Sequence, residues 1–571
     1  MKTRSALLIL TLLLAAGFYA SAQDPAASDD SAGSQVFFES LDVNLVNVEV
    51  YVTDRQGNPV RGLTKDDFEV YEDGRRQLVS NFTAVSSEGK RPRALGVPNL
   101  PVPEGEVPES IAVEQPQVSE DQRLHLIVYL DNLYLKPFGR NKVSREVQSF
   151  LDSYVGPEDR VLVATFERSL NIRQPFTADR AAIAKALRET EKLTAFAVQN
   201  EQERRQVIQR IEASDSLQTA EVAVESYAGS AFQDVRTSIR GLKELISSLG
   251  GLPGRKAILH VSEGMPMTAA EDLFRLLDIE FGQVEGVGGQ LRAQRYNARP
   301  QYRELISHAN ANRVTFYTLD AAGLKSRSSV SAVNRGAARG GSQIELDFIE
   351  QSNMSEPLQM IARDTGGRSV FNTNNFKLAF DQMATDFDDY YSLGYLPAHN
   401  GDGRYHSIEV KLKNKVRGYE LRHRAGYRDK TLETRLNEGV LASLHHGVGV
   451  NPHGLRVKTA KPKARRDRFY QVPVEVEIPI GSIAMVPQGD AYHGRLVVVV
   501  AAINRDGGTS VPEQKPIPLV IPAAEFERAQ QQHITYEAEL LMRAGSQEVA
   551  VGLRDEFSGK TSFIRRVVQV G

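Results

Sequence analysis

The chain has 571 residues, 41% of them hydrophobic and 25% charged, with a formal net charge of −3 and no cysteine. At roughly 150 residues per domain, this length implies three or four folded units of ordinary globular composition. So small a net charge excludes a field that would steer the chain to nucleic acid or an anionic membrane. The lack of cysteine excludes disulfides, thiolate metal sites and lipid attachment at an N-terminal cysteine. The basic clusters KPKARRDR from Lys461 and RHRAGYR from Arg422 read as a solvated linker and a strand face, not as nucleic-acid sites.

At the N-terminus, Lys2 and Arg4 precede the apolar run ALLILTLLLAAGF, and Ala20-Ser21-Ala22 supplies the small residues that a signal peptidase reads. This pattern predicts a signal peptide over residues 1–22, and hence export to the periplasm or the medium. A retained anchor is the alternative, but the run is shorter than the about 20 residues that a span requires. After it, 23–35 is polar and small, a flexible leader. The mature chain is expected to carry no membrane span.

Residues 36–85 read as a β unit. VNLVNVEVYVTD alternates from Val43, DRQGN supplies a turn, and FEVYEDGRRQLVSNF repeats strand, Asp-Gly turn, strand. About 45 residues of strand bury too little alone and need a second sheet. The alternating hairpin YHSIEVKLKNKVRGYELRHRAGY, within 403–428, is the expected partner, so that an α/β domain over 123–398 would interrupt one sandwich. Between them, 86–122 is rich in Pro, Glu, Gly and Ser and reads as a linker.

Within 123–398, LHLIVYLDNLYL from Leu124 is an apolar run ending abruptly on Asp131, followed by VLVATF from Val161, KAILHVSEG from Lys256 and VTFYTLD from Val314. Helix-period segments lie between them. This order predicts an α/β fold with a doubly wound, mostly parallel sheet flanked by β-sandwich units. Ligands of such sheets gather at the carboxyl ends of the strands, so Asp131, Ser262, Glu263 and Asp320 would share one face. Residues 195–233 are expected to be helical. VNRGAARGGSQ from Val333 is expected to be a loop and not a phosphate cradle, since no strand feeds it.

Residues 429–468 mix a short helix with Gly, Pro and Lys and read as a linker. His445, His446 and His453 fall there, without an acidic residue at a matching helical offset or any HExxH, which argues against zinc. YQVPVEVEIPI, RLVVVVAAIN, HITYEAELLM, SQEVAVGLRD and TSFIRRVVQV are strands at sandwich-like spacing, predicting a C-terminal β-sandwich over 469–571.

The ordered set IVYLDNLYL, PEDRVLVATFERSLNIRQPFT, LPGRKAILHVSEGMP, VTFYTLDAAGL, IARDTGGRSVF and YYSLGYLP resembles the von Willebrand factor A family, and more closely a variant common in secreted bacterial proteins of unassigned function. The segment from Val46 to Phe82 is similar to the leader region of that variant. The resemblance implies a magnesium ion held by Asp-x-Ser-x-Ser after the first strand, helped by a threonine and an aspartate from later loops. Mg²⁺ suits such a site as a hard cation taking oxygen ligands. Here the first motif reads Asp131-Asn132-Leu133-Tyr134-Leu135, and the later Thr-Asp-Gly reads Ser262-Glu263-Gly264. Leucine cannot ligate. The resemblance therefore implies a degenerate site, with Asp131 and Glu263 as the surviving ligands for Mg²⁺ and Thr194 as a third. Alternatively, Asp131 turns the loop after its strand while Ser262 and Glu263 cap the next helix.

The resemblance further implies a non-catalytic protein-recognition module working outside the cytoplasm, with Phe138, Tyr134 and Met265 offering apolar contacts or packing their own loops. An envelope scaffold is a second reading. A serine hydrolase is a third. His260-Val261-Ser262-Glu263-Gly264 is one glycine short of the G-x-S-x-G elbow, and Asp320 with His399 or His406 would complete the Ser, Asp, His order; the missing glycine at 260 weighs against it. No catalytic residue is therefore assigned.

Overall fold

A computed structural model describes residues 45–86, 123–154, 156, 159–282, 288–324, 341–414, 418–447, 449–465, 469–504, 509–510 and 512–571. The expected signal peptide and leader, nearly all of the 86–122 linker and most of the glycine-rich loop lie outside them. The chain divides into two compact units, one comprising Asn44–Ser247 with Pro253–Asp429, the other built on Lys430–Gly571 with Ser248–Leu252.

The first unit opens with strands β1 (Val46–Thr53), β2 (Phe68–Glu72), β3 (Arg75–Gln77) and β4 (Val79–Val85). Alternation works as expected here, burying Val46, Val48, Val50 and Val52 on one side of β1. Between β2 and β3, Asp73 and Gly74 both take positive φ, 47° and 76°, as a two-residue hairpin turn of matching twist requires.

An α/β layer follows: β5 (Leu124–Leu130), α1 (Pro137–Tyr154), β6 (Arg160–Phe166), β7 (Leu170–Thr177), α2 (Arg180–Thr190), α3 (Phe196–Glu212), α4 (Leu217–Ser248), β8 (Arg255–Ser262), α5 (Glu271–Phe281), α6 (Gly289–Ala293), α7 (Arg299–Ala311), β9 (Val314–Asp320), α8 (Gly341–Asp364), β10 (Ser369–Val370) and α9 (Phe376–Asp388). The helical stretch expected at 195–233 is α3 and the first half of α4. Strand order is β10-β9-β8-β5-β6-β7. The first five run parallel and β7 closes the edge antiparallel. Pro175 sits in β7, where the loss of an N–H is tolerated because the strand is at an edge. Every residue of β5 is buried, the mark of a strand covered on both faces. Leu124, Leu126, Val128 and Leu130 pack with Val143 and Val147 of α1, Leu187 of α2 and Phe380 of α9, so the intervening residues face the other layer.

The chain then returns through β11 (Tyr390–Tyr395), β12 (Tyr405–Leu412), β13 (Glu420–Arg422) and β14 (Gly426–Arg428). Two antiparallel sheets result, β13-β1-β11-β4 and β14-β12-β2-β3, which share a core containing Val50, Val70, Leu393 and Val410. The early and late β segments thus form one sandwich with the α/β layer inserted. One boundary needs correction. β11, placed above within 123–398, is a sandwich strand between β1 and β4. Its buried Tyr391, Leu393 and Tyr395 follow the period of two typical of a half-covered antiparallel strand, not the continuous run of a central parallel one.

The second unit holds α10 (Leu432–His446), β15 (Arg456–Thr459), β16 (Lys463–Ala464), β17 (Phe469–Pro479), β18 (Val486–Gln488), β19 (Ala491–Ile503), β20 (Glu513–Pro522), α11 (Phe526–Ala529), β21 (His533–Arg543), β22 (Gly545–Asp555) and β23 (Thr561–Val570). Its antiparallel sheets enclose a core of Val474, Val476, Val498, Leu540, Val551 and their neighbours. Residues 429–468 are not a linker. Thr431 caps α10 by accepting from the Thr434 N–H at 3.1 Å, and Leu436, Val440 and Leu444 lie on Val499, Ala501 and Ala550. β15 and β16 pair with β17. His453 Nδ1 hydrogen-bonds with Ser562 Oγ at 2.7 Å, a structural tie.

Sandwich and α/β layer meet at a buried charge cluster. Asp386, at the end of α9, accepts from Arg368 Nε and Nη2 at 2.8 and 2.9 Å and from Arg422 Nη2 of β13 at 2.7 Å. Arg255, opening β8, donates to the Phe387 carbonyl and the Tyr51 hydroxyl, both at 2.9 Å, and lies 4.1 Å over the Tyr390 ring. Removing one partner of such a cluster leaves uncompensated charge in the interior, at a cost of about 3–5 kcal/mol. Asp386→Ala is therefore expected to lower the urea midpoint of the first unit sharply, whereas Lys377→Ala, on the exposed side of α9, should change it little; equal midpoints for the two variants would contradict this role.

Candidate functional site at the carboxyl ends of the parallel strands

The turn after β5 is built by the Asp131 backbone, whose carbonyl accepts from the N–H groups of Tyr134 and Leu135 at 3.1 and 3.0 Å. The Asp131 side chain is fully buried, and neither of its oxygens reaches a hydrogen-bond partner. His260 of β8 approaches it, with Nε2 3.5 Å from Oδ2. The Tyr129 ring stands edge-on to His260 at 5.1 Å. Tyr129 and Asp131 are two residues apart and so project to the same face of the sheet, away from α1. Burial pushes the Asp131 carboxyl up from its ordinary value, and the adjacent His260 offsets only part of that rise.

Glu263 goes the other way. Its Oε1 accepts from the Lys136 N–H at 3.0 Å, one residue before α1. A Cβ on Gly139 would lie 2.5 Å from that oxygen and 2.8 Å from the Ala321 carbonyl, so glycine lets the first turn of α1 close over the carboxylate. A negative charge there also complements the positive end of the helix dipole. The two residues expected to share an ion thus direct their carboxylates to opposite faces of one sheet. Leu133 and Leu135 are fully buried and fill the core where the resemblance implied serine hydroxyls. Thr194 meets the turn through its carbonyl, which accepts from Asn132 Nδ2 at 2.6 Å. A magnesium ion held jointly by Asp131 and Glu263 does not fit this arrangement.

Ser262 and Asp320 are register partners on β8 and β9. The buried Ser262 hydroxyl donates to the Gly264 carbonyl at 2.9 Å, and Asp320 Oδ1 accepts from the Ala322 N–H at 2.9 Å. His399 and His406 belong to the sandwich, around β11 and β12, and hydrogen-bond with carboxylates there. Met265 is buried, contrary to a contact role, while Phe138 is exposed on the first turn of α1. Sequence reasoning missed Arg140, a fully buried guanidinium that donates to Asn132 Oδ1 and the Glu191 carbonyl; set among Lys136, Asn141, Lys142 and Ser144, the position gave no sign that it points inward. It also missed Leu324 and Leu378. Asn374 Oδ1 accepts from the Leu324 N–H at 3.3 Å and from Lys142 of α1 at 3.4 Å, which brings the exposed Leu324 and Leu378 to the same crest as Phe138.

The raised Asp131 pKa sets a pH dependence. Ionising this carboxyl costs the folded state more than the unfolded chain, so stability associated with it is complete below the unfolded value near 4 and is lost as pH rises toward the raised folded value. We expect Asp131→Asn to gain on the wild type in urea melts as pH rises from 4 to neutrality. Magnesium should leave both melts unchanged. A magnesium-dependent rise present in the wild type and absent in Asp131→Asn would restore an ion at this residue.

No known protein family and no curated protein matches the sequence. Among solved structures, an aerotolerance-related membrane protein from Bacteroides fragilis is similar at 14% identity and a TM-score of 0.22, over 46% of this chain and 98% of that one. BatB from Bacteroides thetaiotaomicron is similar at 13% identity and 0.23, over 46% and 98%. The pilus adhesin RrgA from Streptococcus pneumoniae is similar at 8% identity and 0.20, over 91% and 79%. At these scores the likenesses assign neither family nor function.

Proposed function

We propose that this is an exported, non-catalytic protein-binding module, whose α/β layer is a doubly wound von Willebrand factor A-like domain with a degenerate ion site. It would recognise its partner at the crest formed by the carboxyl ends of the parallel strands. The observation that carries the reading is the exposure of three large apolar side chains there. Phe138, Leu324 and Leu378 are 84%, 59% and 54% exposed, and they sit on α1, the loop after β9 and α9, which Asn374 joins. Exposed aromatic and aliphatic residues at one end of a rigid sheet are the usual material of an interface core.

Two observations support a non-catalytic role. The Ser262 hydroxyl is buried in its own turn, and the candidate carboxylates are either enclosed or engaged with backbone. Placement outside the cytoplasm rests on the signal-like segment 1–22; no helix among the described residues is long and apolar enough to cross a membrane.

Replacing Phe138 or Leu324 with a photoreactive phenylalanine analogue in the producing cell should give a discrete protein adduct at both positions. The exposed Val567, carrying the same probe, should give none. Phe138→Asp should abolish the Leu324 adduct while leaving the melting temperature nearly unchanged, since exposed substitutions typically cost less than about 0.5 kcal/mol. Equal labelling from Val567, or a Leu324 adduct indifferent to Phe138→Asp, would remove the crest from consideration.

A further inference from the structure

Alternation along β1 leaves a polar face opposite its valine core. Asn47 and Glu49 project there, and with Asn81 and Thr83 of β4 they form one wall of a cavity of about 400 Å³. The opposite wall holds Arg255 and Arg313, at the starts of β8 and β9, and Arg424, between β13 and β14. These are the amino ends of the parallel strands, so the cavity is separate from the crest and does not rest on the recognition role proposed for it. Gly394 lies in register between Asn47 and Asn81. A Cβ there would stand 2.9 Å from each of their side chains, so glycine leaves room for both amides.

Among the described residues, the charged side chains lining this space are three guanidinium groups and one carboxylate, Glu49. Glu49 is already engaged: its Oε2 lies 3.4 Å from Arg255 Nε and accepts from the Tyr51 hydroxyl at 3.2 Å. Arg424 forms no ion pair among the described residues. Its Nη2 donates to the Asn47 carbonyl at 2.7 Å, while its Nε is buried without an acceptor. Burial and the like charge of Arg313 push its guanidinium down to about 10. Two neighbouring guanidinium groups, one with an unsatisfied N–H, are costly unless an anion offsets them. Asn310, also on the wall, is 1% exposed; its Nδ2 donates to the Asp364 carbonyl at 3.1 Å, but its Oδ1 accepts from nothing. That buried oxygen calls for a donor.

We propose that this cavity binds a small anionic molecule, one that carries a carboxylate or phosphate group on a hydroxyl-bearing body, as a sugar acid or a sugar phosphate does. Arg424, with Arg313 beside it, takes the anionic group, because a guanidinium presents a planar fork of donors that matches two oxygens of a carboxylate or phosphate. Asn310 Oδ1 accepts from a hydroxyl of the body, and the amides of Asn47 and Asn81 and the hydroxyl of Thr83 meet others. The volume lies within the range of about 300–1,000 Å³ usual for small-molecule sites. Asn81, Thr83 and Arg313 are exposed, so the ligand enters from solvent between β4 and the start of β9. A ligand held there would bridge the outer face of the sandwich and the α/β layer.

The test titrates the full chain calorimetrically, in a buffer free of phosphate and carboxylate, with D-glucuronate, glucose-6-phosphate, inorganic phosphate and D-glucose. One or both of the sugar anions should bind at a single site with a dissociation constant of about 1 mM or below. Inorganic phosphate should bind about tenfold more weakly or worse, and D-glucose should give no binding heat. Thr83→Glu, which sets a competing carboxylate at the mouth, and Arg424→Gln should each weaken binding by about tenfold or more, the loss expected for one charge-assisted hydrogen bond. Val567→Asp, in the second unit, should bind as the wild type does. Should Arg424→Gln fail to fold, Thr83→Glu still decides, since its position is exposed on the edge strand β4. Absence of binding by both sugar anions, equal affinity for inorganic phosphate, or undiminished binding in Thr83→Glu would overturn the proposal.

Discussion

Asp386 receives two guanidinium groups in a place from which water is largely excluded, and the architecture of the first unit depends on that arrangement. Arg368 comes from the segment entering β10 and Arg422 from β13, so one carboxylate joins the edge of the parallel sheet to the edge of the sandwich. Taking three charges out of water costs several kcal/mol per ion before any attraction is counted. Such a cluster holds only when all of its partners are present in good geometry. Arg255 adds a second tie of the same kind, since its group reaches Tyr51 of β1 and the end of α9. The α/β layer is therefore not a bead on a string. It is inserted into the sandwich at a junction where Asp386 and Arg255 find their partners only when both are folded.

That junction also explains which parts of the architecture are legible in the sequence. Continuous apolar runs mark β5, β6, β8 and β9 because a strand covered on both faces has no polar side to interrupt it. Alternation marks β1 and β12 for the converse reason. β11 is misplaced because a period of two over six residues is too short a signal to assign it to a layer; the decisive distinction is a pairing with β1 across more than 300 residues. The short helix expected in 429–468 is α10, but its packing and the strands β15 and β16 are hidden by the Gly, Pro and Lys around them. What orders them is packing on β19 and β22 for α10 and pairing with β17 for β15 and β16, a tertiary effect that composition does not report.

The candidate site shows the same division. The sequence places Asp131, Ser262, Glu263 and Asp320 at strand ends, and the structure finds them there. It cannot show the direction of each carboxylate, which follows from strand parity and from what lies above each face. Asp131 continues the parity of Tyr129 and turns toward His260, while Glu263 is claimed by the first turn of α1. The two leucines in place of the implied serines are part of the same change. Once they join the core, the loop after β5 is held by packing, and the geometry no longer depends on an ion to order it.

The sandwich faces the problem that the crest has lost. Its two halves are brought together across the whole length of the inserted layer, and closing so long a loop carries an entropic cost that grows slowly with length. Hydrophobic pairing of β1 with β11 and β2 with β12 offsets most of it, but the β2–β3 turn and the β11–β12 loop lie at the open end of those ladders. There the chain places His399, His406 and four carboxylates, none adjacent in sequence to its partner across the turn, in a shell of tyrosine hydroxyls and backbone N–H groups. A charged cluster at this point is costly unless each group finds a partner in good geometry, and the His406–Asp73 contact supplies one while tying together the two segments that the insertion separates. The polar ties that close the fold thus lie in the sandwich and not at the crest where the sequence resemblance directs attention.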